Sequence, residues 1–159
     1  MREQQRDAAT RFFPPAVPLA TVLIGAGLEF LWPLDPGFAL AAPARYWLGG
    51  AIVAGAILAL GAWPVLLFRR SGQSPKPWEP TPEILVRGPY RFTRNPMYLQ
   101  MVLVCLGFAV LLWNLWILLL TPLCGWLLQI YAIAPEEAYL ERTFGAPYLA
   151  YKRRVRRWI

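Results

Sequence analysis

Two short polar segments hold the residues of this sequence that could bind a charged ligand. The first, residues 71–96, is rich in Pro and Gly and is predicted to be an ordered loop; it ends with Arg94, Asn95 and Pro96. Asn and Pro are typical of a helix start, where free N–H groups and a partial positive charge suit a carboxylate. Arg94 adds a permanent cation with a forked set of donors. From these residues alone, a basic belt at a membrane interface is an equally good interpretation.

The second segment begins with two neighbouring carboxylates, Glu136 and Glu137, directly after Pro135. They could balance the partial positive charge at the start of a new helix. In a second interpretation, one of them binds the ammonium group or the hydroxyls of a ligand. Together with Arg94, such a carboxylate would match a zwitterionic molecule that resembles an amino acid.

The composition excludes several classes of protein. Of the 159 residues, 57% are hydrophobic and only 16% are charged, whereas soluble domains are about 45–50% apolar and about 25% charged. The absence of histidine excludes Ser-His-Asp and Cys-His catalytic groups and nearly every zinc site, so we expect no metal. Cys105 and Cys124 lie inside apolar runs and are predicted to be packed residues, not a disulfide or a nucleophile.

Four apolar runs are near the length that crosses a bilayer, which is about 20 residues. They cover residues 16–32, 46–68, about 97–113, and 115–134. Since only Asn114 separates the last two, these are predicted to form a tight helical hairpin. The predicted fold is therefore an all-α integral membrane protein with four transmembrane helices.

A cytoplasmic amphipathic helix is predicted to follow the fourth run, beginning at Pro135, and Gly145 and Pro147 are positions at which it could break. Its apolar face recurs every three or four residues and consists of Leu140, Phe144, Tyr148, Tyr151 and Val155. We expect one membrane domain over residues 1–159. Its first part, 1–70, contains two spans, and its second part, 71–159, contains the polar loop, the hairpin and the C-terminal helix.

The basic residues predict the orientation of the chain. With four spans, all of the 16 Lys and Arg residues except Arg45 fall on one side of the membrane. By the positive-inside rule that side is the cytoplasm, so both termini and both polar segments are predicted to be cytoplasmic, in the inner or cell membrane. The net charge of +7 is explained by anionic membrane lipids and requires no nucleic acid.

The predicted hairpin is antiparallel, so its two open ends meet at one membrane level. The segment from Arg94 to Tyr98 and the pair Glu136 and Glu137 are therefore predicted to converge at the cytoplasmic mouth of the bundle.

The sequences RGPYRFTRNPMYL and EEAYLERTFGAPYLAYKRRV at this spacing resemble the isoprenylcysteine carboxyl methyltransferase and phospholipid methyltransferase superfamily. The resemblance covers about residues 75–158. It implies an integral membrane enzyme that transfers a methyl group from S-adenosylmethionine to a lipophilic small molecule or lipid. The acceptor group stays open among carboxylate, amine and thiol.

The resemblance also implies the roles of individual residues. Arg94 and Glu137 would be catalytic, with Glu137 accepting a proton if the acceptor is an amine. The residues implied to bind the cofactor are Leu85, Gly88, Tyr90, Arg94, Asn95, Pro96, Met97, Tyr98 and Glu136. The chain departs from the family pattern at Asn95, where many relatives have His, and at Gln100, where Gly is usual. It also lacks the arginine that eukaryotic carboxyl methyltransferases carry shortly before the Glu pair, which argues against a prenylcysteine substrate.

Two alternatives belong to other classes of protein. A membrane reductase related to sterol reductases would bind NADPH and shares an Arg-x-Pro-x-Tyr region. A small membrane protein without enzymatic activity would bind neither NADPH nor S-adenosylhomocysteine.

Overall fold

Helices form all the regular structure of the residues that the computed structural model describes, which are 12–38, 40–72 and 84–159. Five helices follow one another along the chain: α1 (Ala16–Leu31), α2 (Ala42–Arg70), α3 (Pro96–Leu112), α4 (Leu115–Phe144) and α5 (Ala146–Arg154). The predicted cytoplasmic residues Arg2, Arg6 and Arg11, and residues 73–83 of the polar loop, lie outside the described part.

Two of these helices, α2 with 29 residues and α4 with 30, are long and apolar enough to cross a membrane. The helices α1 and α3 are also apolar but have only 16 and 17 residues. In α2 and α4 a π-helical segment, Ile57–Ala62 and Gln129–Ile133 respectively, comes directly before a proline-containing turn. Proline lacks the N–H that an α-helix needs, and the wider turn lets the helix continue past it.

The prediction that a separate helix begins at Pro135 is wrong. α4 runs without interruption through Pro135 as far as Phe144. The break comes at Gly145, one of the two positions predicted as possible breaks, and its φ of 57° and ψ of −127° are unfavourable for other residues. The C-terminal region is therefore the last part of α4 followed by the short helix α5.

The predicted apolar face of the C-terminal region is confirmed. Tyr148, Tyr151 and Val155 form a buried cluster, against which three more apolar residues pack: Ile84, Leu140 and Phe144. Ile84 comes from the polar loop, so this face holds the end of the loop against the C-terminal helices.

A tight turn connects α3 and α4, as the sequence predicts. Trp113 adopts the left-handed conformation, and the Asn114 side chain accepts a 2.9 Å hydrogen bond from the N–H of Ile117, which caps α4. Within the hairpin Cys105 and Cys124 are buried and unoxidised, with their sulfur atoms 4.0 Å apart. This agrees with the prediction that both are packing residues.

Glycines allow α2 to approach α3 closely. A Cβ atom on Gly49 would lie 2.6 Å from the main-chain N of Leu111, and one on Gly107 would lie 2.5 Å from Val53. Such contacts between small residues are a common way for apolar helices to associate. The packing places the end of α2, the start of α3 and the second half of α4 at the same end of the bundle.

Candidate functional site

A short 3₁₀ turn, Gly88–Arg91, leads from the polar loop towards α3. Gly88 has a φ of 58°, and a Cβ there would come within 2.8 Å of the Leu67 side chain in α2. The ring of Tyr90 is buried edge-on against Phe68, with the centroids 5.9 Å apart. Glycine therefore lets the turn pack directly onto the end of α2.

Glu137 is surrounded by cations, although its side chain is only 5% exposed. Its Oε1 atom lies 3.0 Å from Arg94 Nη2 and accepts a further hydrogen bond from Arg94 Nε at 3.2 Å. Arg157 donates from Nη2 to Oε2 at 2.8 Å and from Nε to Oε1 at 3.2 Å. One buried carboxylate is thus neutralised by two guanidinium groups, an arrangement that compensates for its removal from water.

Arg94 connects this carboxylate to the C-terminal segment. Its side chain is 8% exposed, and Nη1 donates to the carbonyl oxygens of Lys152 at 2.9 Å and Val155 at 3.1 Å. A guanidinium group has five N–H donors, and these contacts with Glu137, Lys152 and Val155 occupy four of them. That Arg94 binds the carboxylate of a ligand stays a prediction. After its described contacts, one guanidinium N–H of Arg94 is available for such a ligand.

Asn95 occupies the first position before α3, as predicted, but its side chain does not cap the helix. Its Nδ2 donates instead to the carbonyl of Arg157 at 3.0 Å and to Glu137 at 3.4 Å. The expected capping bond is therefore wrong; the bonds that Nδ2 donates orient the amide towards the C-terminal segment and Glu137 instead of the first turn of α3. Thr93 supports this arrangement, since its hydroxyl donates to the same Arg157 carbonyl at 3.1 Å.

Sequence reasoning missed Thr93 and Arg157. Arg157 lies in a run of basic residues that was interpreted as contacting lipid head groups, and nothing in the sequence distinguishes it from its neighbours. The main-chain N–H of Arg94 also donates a 2.9 Å hydrogen bond to the carbonyl oxygen of Arg156. These contacts join positions more than 60 residues apart in the chain, so no local pattern could have revealed them.

Glu136 has a different environment, although it is adjacent in sequence. It is half-buried, and its Oε2 accepts a 2.8 Å hydrogen bond from the phenol of Tyr98. Among the described residues no cation forms an ion pair with Glu136. Burial, and next the negative charge of Glu136, raise the pKa of Tyr90 well above its ordinary value, so Tyr90 stays neutral. The surroundings of Glu136 therefore include the neutral phenols of Tyr90 and Tyr98.

A cavity of about 570 Å³ lies beside the Gly88 turn. Sites for small molecules usually measure about 300–1,000 Å³. Leu85 lines it, together with six other residues from the end of α2 and the polar loop: Leu67, Arg70, Ser71, Ile84, Val86 and Arg87. Of the remaining predicted contacts, Pro96 is buried and Met97 is half-buried at the start of α3.

The predicted site residues thus fall into three neighbouring groups at one end of the bundle. Arg94 and Asn95 meet Glu137, Tyr98 meets Glu136, and Leu85 lies with the Gly88 turn beside the cavity. In the part of the chain that the structure describes, no cluster of His, Cys, Asp and Glu could hold a metal ion.

Comparison with known families identifies the chain more closely. The sequence model of the phospholipid methyltransferase family matches residues 44–147, which is more than half of the chain. The chain belongs to the phospholipid methyltransferase family. The match extends from α2 to α5 and includes the Gly88 turn, the hairpin and both glutamates, so the resemblance seen in the sequence is confirmed.

An uncharacterized protein of Haemophilus influenzae is similar to this family member. The two are 38% identical over an alignment of 71 residues, which covers 40% of this chain and all of the other protein. No solved structure matches the chain. Family membership implies methyltransferase activity and a lipid substrate in general terms, and the two long apolar helices are consistent with a membrane protein.

Proposed function

We propose that this protein is an integral membrane enzyme with four transmembrane helices that transfers a methyl group from S-adenosylmethionine to a lipophilic acceptor at the cytoplasmic face. Family membership supports methyl transfer. The distribution of the 16 basic residues, all but Arg45 on one side of a four-span arrangement, supports the orientation.

The observation that carries this proposal is the environment of Glu136. Its carboxylate accepts a 2.8 Å hydrogen bond from the neutral phenol of Tyr98 and can accept further hydrogen bonds. The carboxylate of Glu137, by contrast, is already paired with Arg94 and Arg157. Such a carboxylate suits the ammonium group or the ribose hydroxyls of the cofactor. The cavity of about 570 Å³ beside Leu85 lies within the size range of small-molecule sites, which supports a cofactor bound beside the Gly88 turn.

The protein's part in this reaction is mainly to position the two reactants. When bound, S-adenosylmethionine supplies a methyl group made electrophilic by its sulfonium, and alignment of reactants can lower a barrier by about 7–11 kcal/mol. Tyr98 orients the half-buried Glu136 through its 2.8 Å hydrogen bond. Arg94 and Glu137 hold the C-terminal segment at the site. For an amine acceptor, the predicted role of Glu137 as proton acceptor would require its Oε2 to leave the 2.8 Å contact with Arg157.

The decisive experiment is a ligand titration of the protein purified in detergent, with the thermal midpoint as the readout. S-adenosylhomocysteine at about one hundred times its Kd should stabilise the fold by about 2.7 kcal/mol. Glu136→Gln should remove most of this effect, whereas Glu141→Gln, which alters a partner of Lys152 that is about one-third exposed, should not. Stabilisation by NADPH alone would favour the reductase. Stabilisation by neither ligand would refute both the methyltransferase and the reductase.

A further inference from the structure

A cavity of about 420 Å³ lies at the closed end of the hairpin, beside the turn between α3 and α4. Asp35 and Phe38 line it from the connection between α1 and α2, and Trp113 and Leu115 line it from the turn. Its volume is within the range of small-molecule sites, about 300–1,000 Å³. The 17 residues of α3 place it roughly 25 Å from the candidate site, so the two are separate.

The turn uses a tryptophan at a position where a smaller residue would be less strained. Trp113 has a φ of 54° and a ψ of 51°, which is the left-handed conformation. Among the described residues it is the only one other than glycine with a positive φ. Glycine and asparagine adopt this conformation more readily and are the usual residues at the end of a helix. A bulky residue that is kept under strain points to a role of its side chain, and the Trp113 ring lines the cavity.

Three contacts fix the connection between α1 and α2 over this cavity. The ring of Phe38 meets that of Trp113 edge-on, with the centroids 5.3 Å apart. Trp116 Nε1 donates a 2.8 Å hydrogen bond to the carbonyl oxygen of Trp32. Asp35 Oδ1 accepts a 2.9 Å hydrogen bond from the main-chain N–H two residues later. These contacts position the aromatic wall and the carboxylate, and a site that is already formed binds a ligand at a lower entropic cost.

Asp35 gives the cavity its charge. It is the only charged residue among the described residues that line the cavity, and it is exposed. It forms no ion pair with another described residue. Asn114, which also lines the cavity, already bonds through its amide to the N–H of Ile117 and the carbonyl of Gly25. A carboxylate beside aromatic rings complements an organic cation, because the carboxylate accepts charge-assisted hydrogen bonds and the rings attract positive charge.

We propose that this cavity is a second binding site, which takes a small protonated amine with an apolar or aromatic substituent. The ammonium group donates a hydrogen bond to the carboxylate of Asp35, and the substituent fills the apolar space beside Trp113 and Phe38. An anion of the same size is repelled by Asp35, and a neutral molecule gains only the apolar contacts. Binding at this site does not depend on methyl transfer, since the site lies at the other end of the bundle.

The test is a calorimetric titration of the full chain in detergent with three ligands of similar shape. They are 2-phenylethylamine, which is protonated at neutral pH like a lysine side chain, the neutral 2-phenylethanol and the anion phenylacetate. Asp35→Asn removes the charge of the cavity, and its control is Glu29→Gln, which removes a carboxylate of α1 that does not line the cavity. Trp113→Asn removes the ring but keeps a residue that tolerates the left-handed conformation. Its control is Trp47→Ala, which removes an exposed ring of α2 outside the cavity.

We expect 2-phenylethylamine to bind more tightly than 2-phenylethanol, and phenylacetate to bind most weakly. Trp113→Asn should weaken binding of the amine about tenfold or more, because the ring supplies both apolar contact and attraction for the cation. Asp35→Asn should weaken it about fivefold, since water screens an exposed carboxylate, and should leave binding of 2-phenylethanol unchanged. Both controls should bind the amine as the unaltered chain does. Equal binding of the three ligands would overturn the amine, and unchanged binding in Trp113→Asn would overturn the cavity as its site.

A competition experiment separates this site from the candidate site. Because the two lie at opposite ends of the bundle, saturating S-adenosylhomocysteine should leave binding of 2-phenylethylamine unchanged. Displacement of the amine by S-adenosylhomocysteine would place the amine in the candidate site and overturn the second site. If Trp113→Asn fails to fold, Trp113→Gly replaces it, since glycine also removes the ring and adopts the left-handed conformation without strain.

Discussion

Glu136 and Glu137 are adjacent in the chain but belong to two different regions of the molecule. Glu137 contacts Arg94, Arg157 and Asn95 and is almost completely buried. Glu136 is half-buried and accepts its hydrogen bond from the neutral phenol of Tyr98. Successive residues of a helix point about 100° apart, so one carboxylate faces the C-terminal segment and the other faces the tyrosines.

The difference indicates that Glu137 stabilises the site, whereas Glu136 is available to bind a ligand. The acceptor capacity of Glu137 is largely used by two guanidinium groups, that of the buried Arg94 and that of the partly exposed Arg157. Glu136 has a hydrogen-bond donor that fixes its orientation without neutralising its charge, and it retains capacity for a cationic or hydroxylated ligand. Four experiments can break or sharpen this comparison.

The largest expected effect is a loss of stability in Glu137→Gln. The substitution leaves the buried Arg94 facing a neutral amide, and breaking such a pair costs about 3–5 kcal/mol. For a chain of this size the thermal midpoint should fall by roughly 6–20 °C. Thermal unfolding in detergent would measure it. Glu141→Gln is the control, since its pair with Lys152 is about one-third exposed and should change little. An equal loss in both variants would contradict the structural role of Glu137.

A double-mutant cycle on Tyr98 and Glu136 addresses the other region. Tyr98→Phe and Glu136→Gln should each weaken S-adenosylhomocysteine binding, and the double variant should lose less than the sum. The coupling expected between directly bonded residues is about 0.5–3 kcal/mol. Calorimetric titration would measure it. Additive losses would show that the phenol does not orient Glu136 for the ligand.

Gly88→Ala tests how the turn positions Tyr90. An alanine there combines an unfavourable positive φ with a close contact to Leu67, so stability should fall by about 1–2 kcal/mol. Gly72→Ala is the matched control, because Gly72 has a φ of 71° but open space around it. The fall in thermal midpoint should be larger for Gly88→Ala, and a loss that is equal in both would assign the whole effect to strain.

The smallest effect concerns alkaline pH. Burial raises the pKa of Tyr90, Tyr148 and Tyr151 above the ordinary value of about 10. Above pH 10 the unfolded chain loses these protons while the folded chain keeps them, so stability should decrease as the pH rises. Each tyrosine contributes at most about 1.4 kcal/mol per pH unit. Tyr148→Phe and Tyr90→Phe should each reduce the slope of the thermal midpoint against pH; an unchanged slope would contradict the burial.

The helices could be predicted closely from the sequence, except where they pass a proline. Apolar runs predicted the starts of α1, α3 and α4 within one or two residues, because long apolar stretches have few alternative structures. The end of α4 was misplaced at Pro135, because a π-helical turn next to a proline depends on the packing of its neighbours. The break at Gly145 depends on a backbone conformation that only glycine adopts readily.

The candidate site could be predicted as a set of residues but not as a set of partners. The tight turn at Asn114 places Arg94 and Glu137 at one level, and this follows from chain length alone. Which carboxylate would meet the arginines depends on the rotation of α4, which the sequence does not specify. The contributions of Thr93 and Arg157 arise from a segment that returns from the C-terminus to the start of α3.

The sequence by itself determined the helical class, the hairpin, the family and the residue types available for chemistry. Composition and spacing suffice for these four features, because each can be read from the identity and order of neighbouring residues in the chain. Only the tertiary structure decided that Asn95 binds the C-terminal segment and that Glu137 is neutralised while Glu136 is not. The physical reason is that ion pairs and buried hydrogen bonds form between groups that are distant in the chain, and their partners are selected by how the helices pack.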